Sequence, residues 1–400
     1  MDKKWWILFC CLAIGWPDGS RAQIAPIGSG AFGVSDRSSG LGLTRDYNPA
    51  IGANLLMGGE YLSKEAESLA WPDAVKEALG QTGVFFQEAE VGFAAAVDPF
   101  FRADLIIALH RHEGHFHVDL EEGYVTTLAL PQVTLRAGKF YLPFGRHNVL
   151  HTHAFPFIDA PWTHTVFFGE EGLNEMAIEA AVLLPLPWFA ELSAYAANGD
   201  NEVLFHSPKG RDLAYGGRLH TLVEFSDSVT ADIGGNYVAG KNIAGGWTHV
   251  FGGDLTLRWR PAGRELYHQL VWQSEYLQVR RTGPLPSPTA GTDAEAQPDE
   301  GARIANLQSG VPSGTGGFYT YLAGQVAREW WLQARFDAVG YPRPDAGPRL
   351  HRVSGLLAFV PSEFSAIRLQ YSYGFGREER VHQVLLQLNV TIGAHPAHAY

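Results

Sequence analysis

From residue 50 onward the chain repeats one pattern, long stretches in which apolar and polar residues alternate. In FRADLIIALH, Phe101, Ala103, Leu105, Ile107 and Leu109 oppose Arg102, Asp104, Ala108 and His110. In HFHVDLEEGYVTTLAL, Phe116, Val118, Leu120, Tyr124 and Leu128 oppose His117, Asp119, Glu121 and Thr127. FGGDLTLRWR, SAIRLQYSYGF and HQVLLQLNVTI alternate in the same way. A period of two marks strands whose faces meet different surroundings. The stretches run ~10–14 residues, against about 5–6 for a globular strand, long enough for a tilted strand to cross a bilayer. Past residue 22 no apolar run approaches the ~20 residues of a membrane helix. Helical periodicity is clearest at 63–79.

Sixteen such segments are expected, near 50–62, 83–97, 100–111, 115–129, 133–142, 172–185, 187–198, 213–226, 229–240, 247–260, 263–279, 316–328, 330–340, 348–361, 363–375 and 380–393. Each even-numbered segment ends in a tight turn, such as Asp98-Pro99, Pro131-Gln132, Pro261-Ala262 or Ser362. Connections after odd-numbered segments include the long ones, 63–82, 143–171, 199–212 and 280–315. Short periplasmic turns, longer extracellular loops and an even strand count are the layout of outer-membrane barrels. In hydrocarbon every backbone N–H and C=O must find a partner within the protein, so a sheet spans only when closed. Closure also removes edge strands that would aggregate. The expected fold is all-β, a transmembrane antiparallel β-barrel over residues 50–400, too wide for its own side chains to fill and hence aqueous inside.

Residues 1–22 carry Lys3 and Lys4, an apolar run from Trp5 to Trp16, and Ser20-Arg21-Ala22. This is the layout of a signal peptide cleaved before Gln23. Cleavage removes both cysteines, Cys10 and Cys11, and moves the net charge from −12 to −13 by taking three cations and two acids. The exported chain then has no disulfide, and its acidity excludes the basic stripe of a nucleic-acid binder. Residues 23–49, rich in Gly and Ser, read as a flexible periplasmic segment, and 281–315, poor in apolar residues, as a mobile surface loop.

Parity assigns Glu88, Glu90, Arg102, Asp104, Asp119, Glu121, Arg136, Glu175, Glu179, Glu191, Arg218, Glu224, Asp232, Asp254, Arg258 and Arg368 to the lumen. Charges of both signs in a low-dielectric channel focus its field and set selectivity. The plainer reading is that they pair with each other and solvate the wall. Phe100-Phe101, Trp188-Phe189, Trp330-Trp331 and Phe375, near strand ends, are placed for interfacial girdles. The loop 143–171 is too aromatic to stay exposed, so it is expected to fold inward and narrow the pore.

Eight of the sixteen histidines lie between residues 110 and 164. In HRHEGHFH, a two-residue turn at Glu113-Gly114 would oppose His112 to His115 and His110 to His117 at the mouth. Opposed Cβ atoms stand about 4.5–5.5 Å apart, and two imidazoles at that spacing can share a zinc ion through bonds of ~2.0–2.1 Å. A polar, pH-sensitive rim is the alternative. His147, His151, His153 and His164 in the long loop are further candidate ligands. His112-Glu113-Gly114-His115 is not HExxH, and no GxSxG elbow or P-loop occurs, so an enzyme is not expected.

The runs NPAIGANLLMGGEYL, FQEAEVGFAAAVDPFFRADL, LEEGYVTTLALP, LRAGKFYLPFGRHNVLHTHAFPFIDAPW and HQVLLQLNVTIGAHPAHAY resemble a group of porin-like bacterial outer-membrane proteins. That group is similar in architecture to the phosphate-selective porins and is often labelled zinc-regulated TonB-dependent receptors. The resemblance spans nearly all of residues 48–400. It implies a Gram-negative outer-membrane channel for small hydrophilic solutes or ions or, alternatively, a zinc-uptake receptor with a histidine-rich mouth. No cofactor is required, and Zn²⁺ is the candidate ion. Such a barrel is expected to meet outer-membrane lipid and lipopolysaccharide and to be inserted by the barrel-assembly machinery, with a homotrimer as a candidate assembly. Two features depart from the labels. Past residue 22 only Lys64, Lys76, Lys139, Lys209 and Lys241 are available for a lysine-lined phosphate channel, and 23–49 is too short for the plug of a TonB-dependent receptor.

Overall fold

The computed structural model describes residues 49–112, 115–261, 268–287, 300–342 and 349–393. The expected signal peptide and all but the last residue of the segment after it lie outside the described residues, as does Glu113-Gly114. Sixteen antiparallel strands form one closed barrel. They are β1 (Ala50–Leu62), β2 (Gly83–Ala96), β3 (Phe101–His112), β4 (His115–Thr127), β5 (Val133–Tyr141), β6 (Asn174–Leu183), β7 (Ala190–Ala197) and β8 (Ala214–Ser226). The ring continues with β9 (Val229–Lys241), β10 (Trp247–Trp259), β11 (Leu270–Thr282), β12 (Thr315–Ala327), β13 (Trp330–Pro342), β14 (Leu350–Ser362), β15 (Ser365–Gly376) and β16 (Glu379–Gly393). Each strand pairs with the next, and β16 returns to β1 from Gly52↔Gly393 to Leu62↔Gln383. No described helix is long and apolar enough to cross a membrane.

Alternation places the two faces as the pattern requires. On β15 and β16, Ile367, Leu369, Leu386 and Leu388 face outward, while Gln370, Gln387 and Asn389 are buried inside. Phe100, Phe101, Trp188 and Trp330 stand exposed near strand ends, but Trp331 is buried on the inner wall, because neighbouring strand residues point to opposite faces.

Three expectations are corrected. The eleventh strand starts at Leu270 rather than 263, and it runs on to Thr282. Its ladder with β10 ends at Trp259↔Leu270. Pro261, which has no N–H to donate, follows that end, and β11 begins only at Leu270, so the connection between the two strands is longer than the two-residue turn expected. Tyr124, expected outside, is buried inside. The cause is a bulge in β4: Ile106 pairs Glu122 and Ile107 pairs Leu120, leaving Glu121 as the extra residue. The bulge shifts parity and buries the adjacent Glu121 and Glu122 together. Finally, the described part of 281–315 holds a helix (Glu300–Ser309) whose Ile304 and Gln308 are buried. Arg281 donates to the Gln308 and Val203 carbonyls and fastens this helix to the barrel.

The aqueous interior is also corrected over part of its length. The 63–82 connection contains the helix α1 (Asp73–Glu77), and the 142–173 connection contains a 3₁₀ turn (Thr152–Ala154) and the helix α2 (Trp162–Phe168). Trp71, Val75 and Leu79 join Phe144, Trp162, Val166, Phe167, Phe168 and Leu204 in one apolar core against inward residues such as Val238, Leu277 and Val381. Trp71 and Trp162 meet edge to face at 5.4 Å. Each such side chain contributes about 1.5–3 kcal/mol by leaving water, which binds the connections to the wall.

The chain past residue 22 contains no cysteine, so facing can be read with single labels. Bimane on Leu386→Cys and Leu388→Cys is expected to be quenched by nitroxide lipids, and bimane on Gln387→Cys is not. Equal quenching at all three positions would contradict the assigned faces.

Candidate functional site

The inner wall carries charge in matched pairs. Arg102 donates to Asp104, Arg136 to Glu179 and Arg218 to Asp254, at 2.7, 2.5 and 2.6 Å respectively. Arg258 lies 3.9 Å from Asp232. Arg368 donates to Gln387 and to the Phe155 carbonyl. Glu175 accepts the backbone N–H groups of Gly199, Asp200 and Asn201 and so anchors the connection after β7. Asp119 stands 3.3 Å from His110, and Glu121 accepts the Tyr141 hydroxyl at 2.7 Å. For the buried pairs, Arg136–Glu179 and Arg218–Asp254, burial forces this matching, since an unpaired charge away from water is expensive, whereas His110 and Asp119 are exposed.

Across that wall runs the connection 142–173. Its stem is closed by Asn148, whose Nδ2 donates to the Leu142 carbonyl and whose Oδ1 accepts Leu173 N–H, both at 2.8 Å. Arg146 donates to Asp232 on β9 at 2.8 Å. Glu275 on β11 accepts the backbone N–H groups of Arg146 and His147. Gly145, at φ +68°, permits this approach, because a Cβ there would meet Glu275 Oε1 at 1.9 Å. Five residues on, His151 meets Glu90 of β2 and Glu122 of β4. In a ring of sixteen, β2 stands opposite β10 and β4 opposite β12, so the segment crosses the lumen.

The far half of the connection is held by Asp159. Arg335 reaches its carboxylate at 2.7 Å and Arg352 at 2.5 Å, and both guanidinium groups also donate to Asp337. Trp162 N–H donates to Asp337 at 3.1 Å, and Ile158 N–H to Gln370 at 2.9 Å. Arg352 also lies over the Trp162 ring, 4.7 Å from its centroid. Burial raises the Asp159 pKa, but Arg352 and Arg335 outweigh it and bring the carboxyl down to about 2.

The structure sorts the eight candidate histidines into separate groups. At the mouth His110 pairs His117 and His112 pairs His115 in register, and the His110 and His117 rings stack at 6.0 Å. His147 and His164 touch at 4.7 Å among Phe155, Phe168 and Tyr319. Burial lowers the His164 pKa to about 3, and burial, then His164 and Arg335, hold His147 well below its ordinary value. His151 and His153 stack at 5.8 Å in an acidic pocket. Burial disfavours charge on His151, yet Glu90, Glu121 and Glu122 hold its pKa well above normal. Sequence reading missed Glu122, Glu275, Arg335, Asp337 and Arg352. Arg335 and Asp337 were findable by parity, since they alternate within one strand, but nothing local shows that Asp159 joins them.

A closed sixteen-stranded barrel with a long connection folded across its lumen is the porin fold. The chain is similar to an anion-selective porin from Comamonas acidovorans, with TM-score 0.57 and 9% identity over 86% of this chain and 99% of that one. It is also similar to OprB of Pseudomonas putida (TM-score 0.55, 8% identity, 87% and 94% covered) and to the outer membrane channel DcaP of Acinetobacter baumannii (0.54, 11%, 89% and 100%). At these identities the likeness is one of fold. No family model matches the chain. An uncharacterized protein of Aquifex aeolicus (strain VF5) is 27% identical over 350 residues, 78% of this chain and 69% of that protein.

The loop histidines fix a sign for pH dependence. His164, depressed when folded, stabilises the packed loop fully above its unfolded pKa of roughly 6.5 and progressively less as pH falls toward 3. His151, raised when folded, is fully stabilising below about 6.5, and Asp159 adds no slope above roughly pH 4. Between pH 6.5 and 4, wild type is therefore expected to lose up to about 1.4 kcal/mol per pH unit relative to His164→Phe. Unfolding midpoints measured across that window check this, and parallel slopes would contradict it.

Proposed function

We propose that this protein is a porin-type channel of the Gram-negative outer membrane, passing small hydrophilic solutes or ions along a path set by the 142–173 connection. The observation that carries this reading is the tethering of that connection across a closed barrel, from Arg146–Asp232 on one side to His151–Glu90 on the other. A closed barrel satisfies its backbone in lipid and leaves the inner wall free to be polar. The paired wall charges keep that lining polar without a large field of one sign. The connection then decides how much of the lumen conducts, and its aromatic core holds it against the wall and the neighbouring connections.

Planar-bilayer recording tests this reading. Wild type is expected to conduct weakly, and deletion of 148–166 to raise single-channel conductance several-fold with the barrel still folded. Asp159→Asn removes one acceptor from a buried Arg pair. The cost is up to about 3–5 kcal/mol, less whatever Asp337 retains, and flickering between weakly and strongly conducting levels is expected. Unchanged conductance after the deletion, or no current from either protein, would contradict the proposal.

A further inference from the structure

We infer that the acidic pocket beneath the 3₁₀ turn is a binding site for one divalent transition-metal cation, ligated by Glu90, Glu121 and His151. One ligand atom from each lies within 4.8 Å of the others, and all three residues are buried. His151 Nδ1 stands 3.3 Å from Glu90 Oε2 and 3.3 Å from Glu121 Oε1. A tetrahedral ion with bonds of about 2.0–2.1 Å separates its ligands by about 3.4 Å, so this is the spacing of donors around a shared ion. Two buried carboxylate oxygens in the pocket, Glu121 Oε2 and Glu88 Oε1, have no hydrogen-bond partner among the described residues.

The surroundings orient the donors. His151 Nε2 donates to Glu122 at 3.0 Å, which leaves Nδ1 facing two carboxylates, where a bound cation would take the place of its proton. A carboxylate fixing a histidine's tautomer in this way is the usual partner of a metal-ligating imidazole. His153 Nδ1 is 3.1 Å from Glu90, and Tyr141 donates to Glu121. Four carboxylates, Glu88, Glu90, Glu121 and Glu122, face two imidazoles, while Arg102 and Arg136 in the adjoining wall pair with Asp104 and Glu179. The carboxylates outnumber the imidazoles, and a bound dication would supply the positive charge that the pocket lacks. A donor set of nitrogen and oxygen suits Zn²⁺ or a similar first-row ion better than Mg²⁺, which favours an octahedral oxygen shell. The ion would stitch the connection to β2 and β4, on the side of the barrel across from the Arg146 tether. The site does not depend on whether the barrel conducts.

The test is metal retention by the full-length folded barrel, stripped with a chelator, dialysed against micromolar ZnCl₂ and analysed by plasma mass spectrometry. One Zn²⁺ per chain is expected, with Mg²⁺ not retained. His151→Ala and Glu90→Gln, shown folded by heat-modifiable gel migration, are each expected to weaken binding at least tenfold. The combined His110→Ala, His112→Ala, His115→Ala and His117→Ala variant is expected to keep the ion. X-ray absorption of the wild type, which needs no variant, is expected to show a shell dominated by oxygen with one or two imidazoles. No retained Zn²⁺, equal retention of Mg²⁺, loss only in the mouth variant, or a shell of three or more imidazoles would overturn the proposal.

Discussion

Backbone hydrogen bonding without water governs this molecule. A sheet in hydrocarbon has nowhere to leave an unpaired N–H or C=O, and the pairing of β1 with β16 disposes of the last two edges. Closure divides every strand into an outer face and an inner one. The outer face becomes apolar, as Leu369 and Leu386 show, and the inner one is free to hold Gln370, Gln387, Arg335 and Asp337. A ring of sixteen strands then creates a second problem, because its interior is wider than these side chains can fill.

The 142–173 connection answers that problem with two kinds of contact. Its aromatic residues form an apolar core with Trp71, Val75 and Leu204 from neighbouring connections. Its backbone and few charged groups are matched to the wall, where Asp159 meets Arg335 and Arg352 and the Arg146 and His147 amides meet Glu275. Neither set suffices alone. Apolar packing gives cohesion without position, whereas buried ionic contacts are directional and costly to misplace. Together they specify one path across the lumen.

How much of this the sequence shows follows from which interactions are local. Strand number, topology and facing were legible because alternation is a property of adjacent residues, and the inward course of 143–171 was legible from its aromatic content. The start of β11 was misread, because alternation continues past the point where Pro261 ends the ladder with β10. Tyr124 was placed on the wrong face because a single extra residue at Glu121 resets parity. The same bulge places Glu121 and Glu122 around His151, so the acidic pocket was hidden for the same reason. The histidine-rich octet drew attention at the mouth, yet the metal-capable group among the described residues is built from Glu90, Glu121 and His151. Its members span 61 positions of the chain, from Glu90 to His151, and meet only after closure.

The central claim is that the 142–173 connection is a fixed part of the barrel interior. Hydrogen exchange of the protein in lipid nanodiscs, read by mass spectrometry on peptides covering 146–168, tests it most directly. Protection lasting hours is expected, comparable to peptides from β14 to β16. Exchange of those amides within seconds, as for an exposed loop, would contradict it.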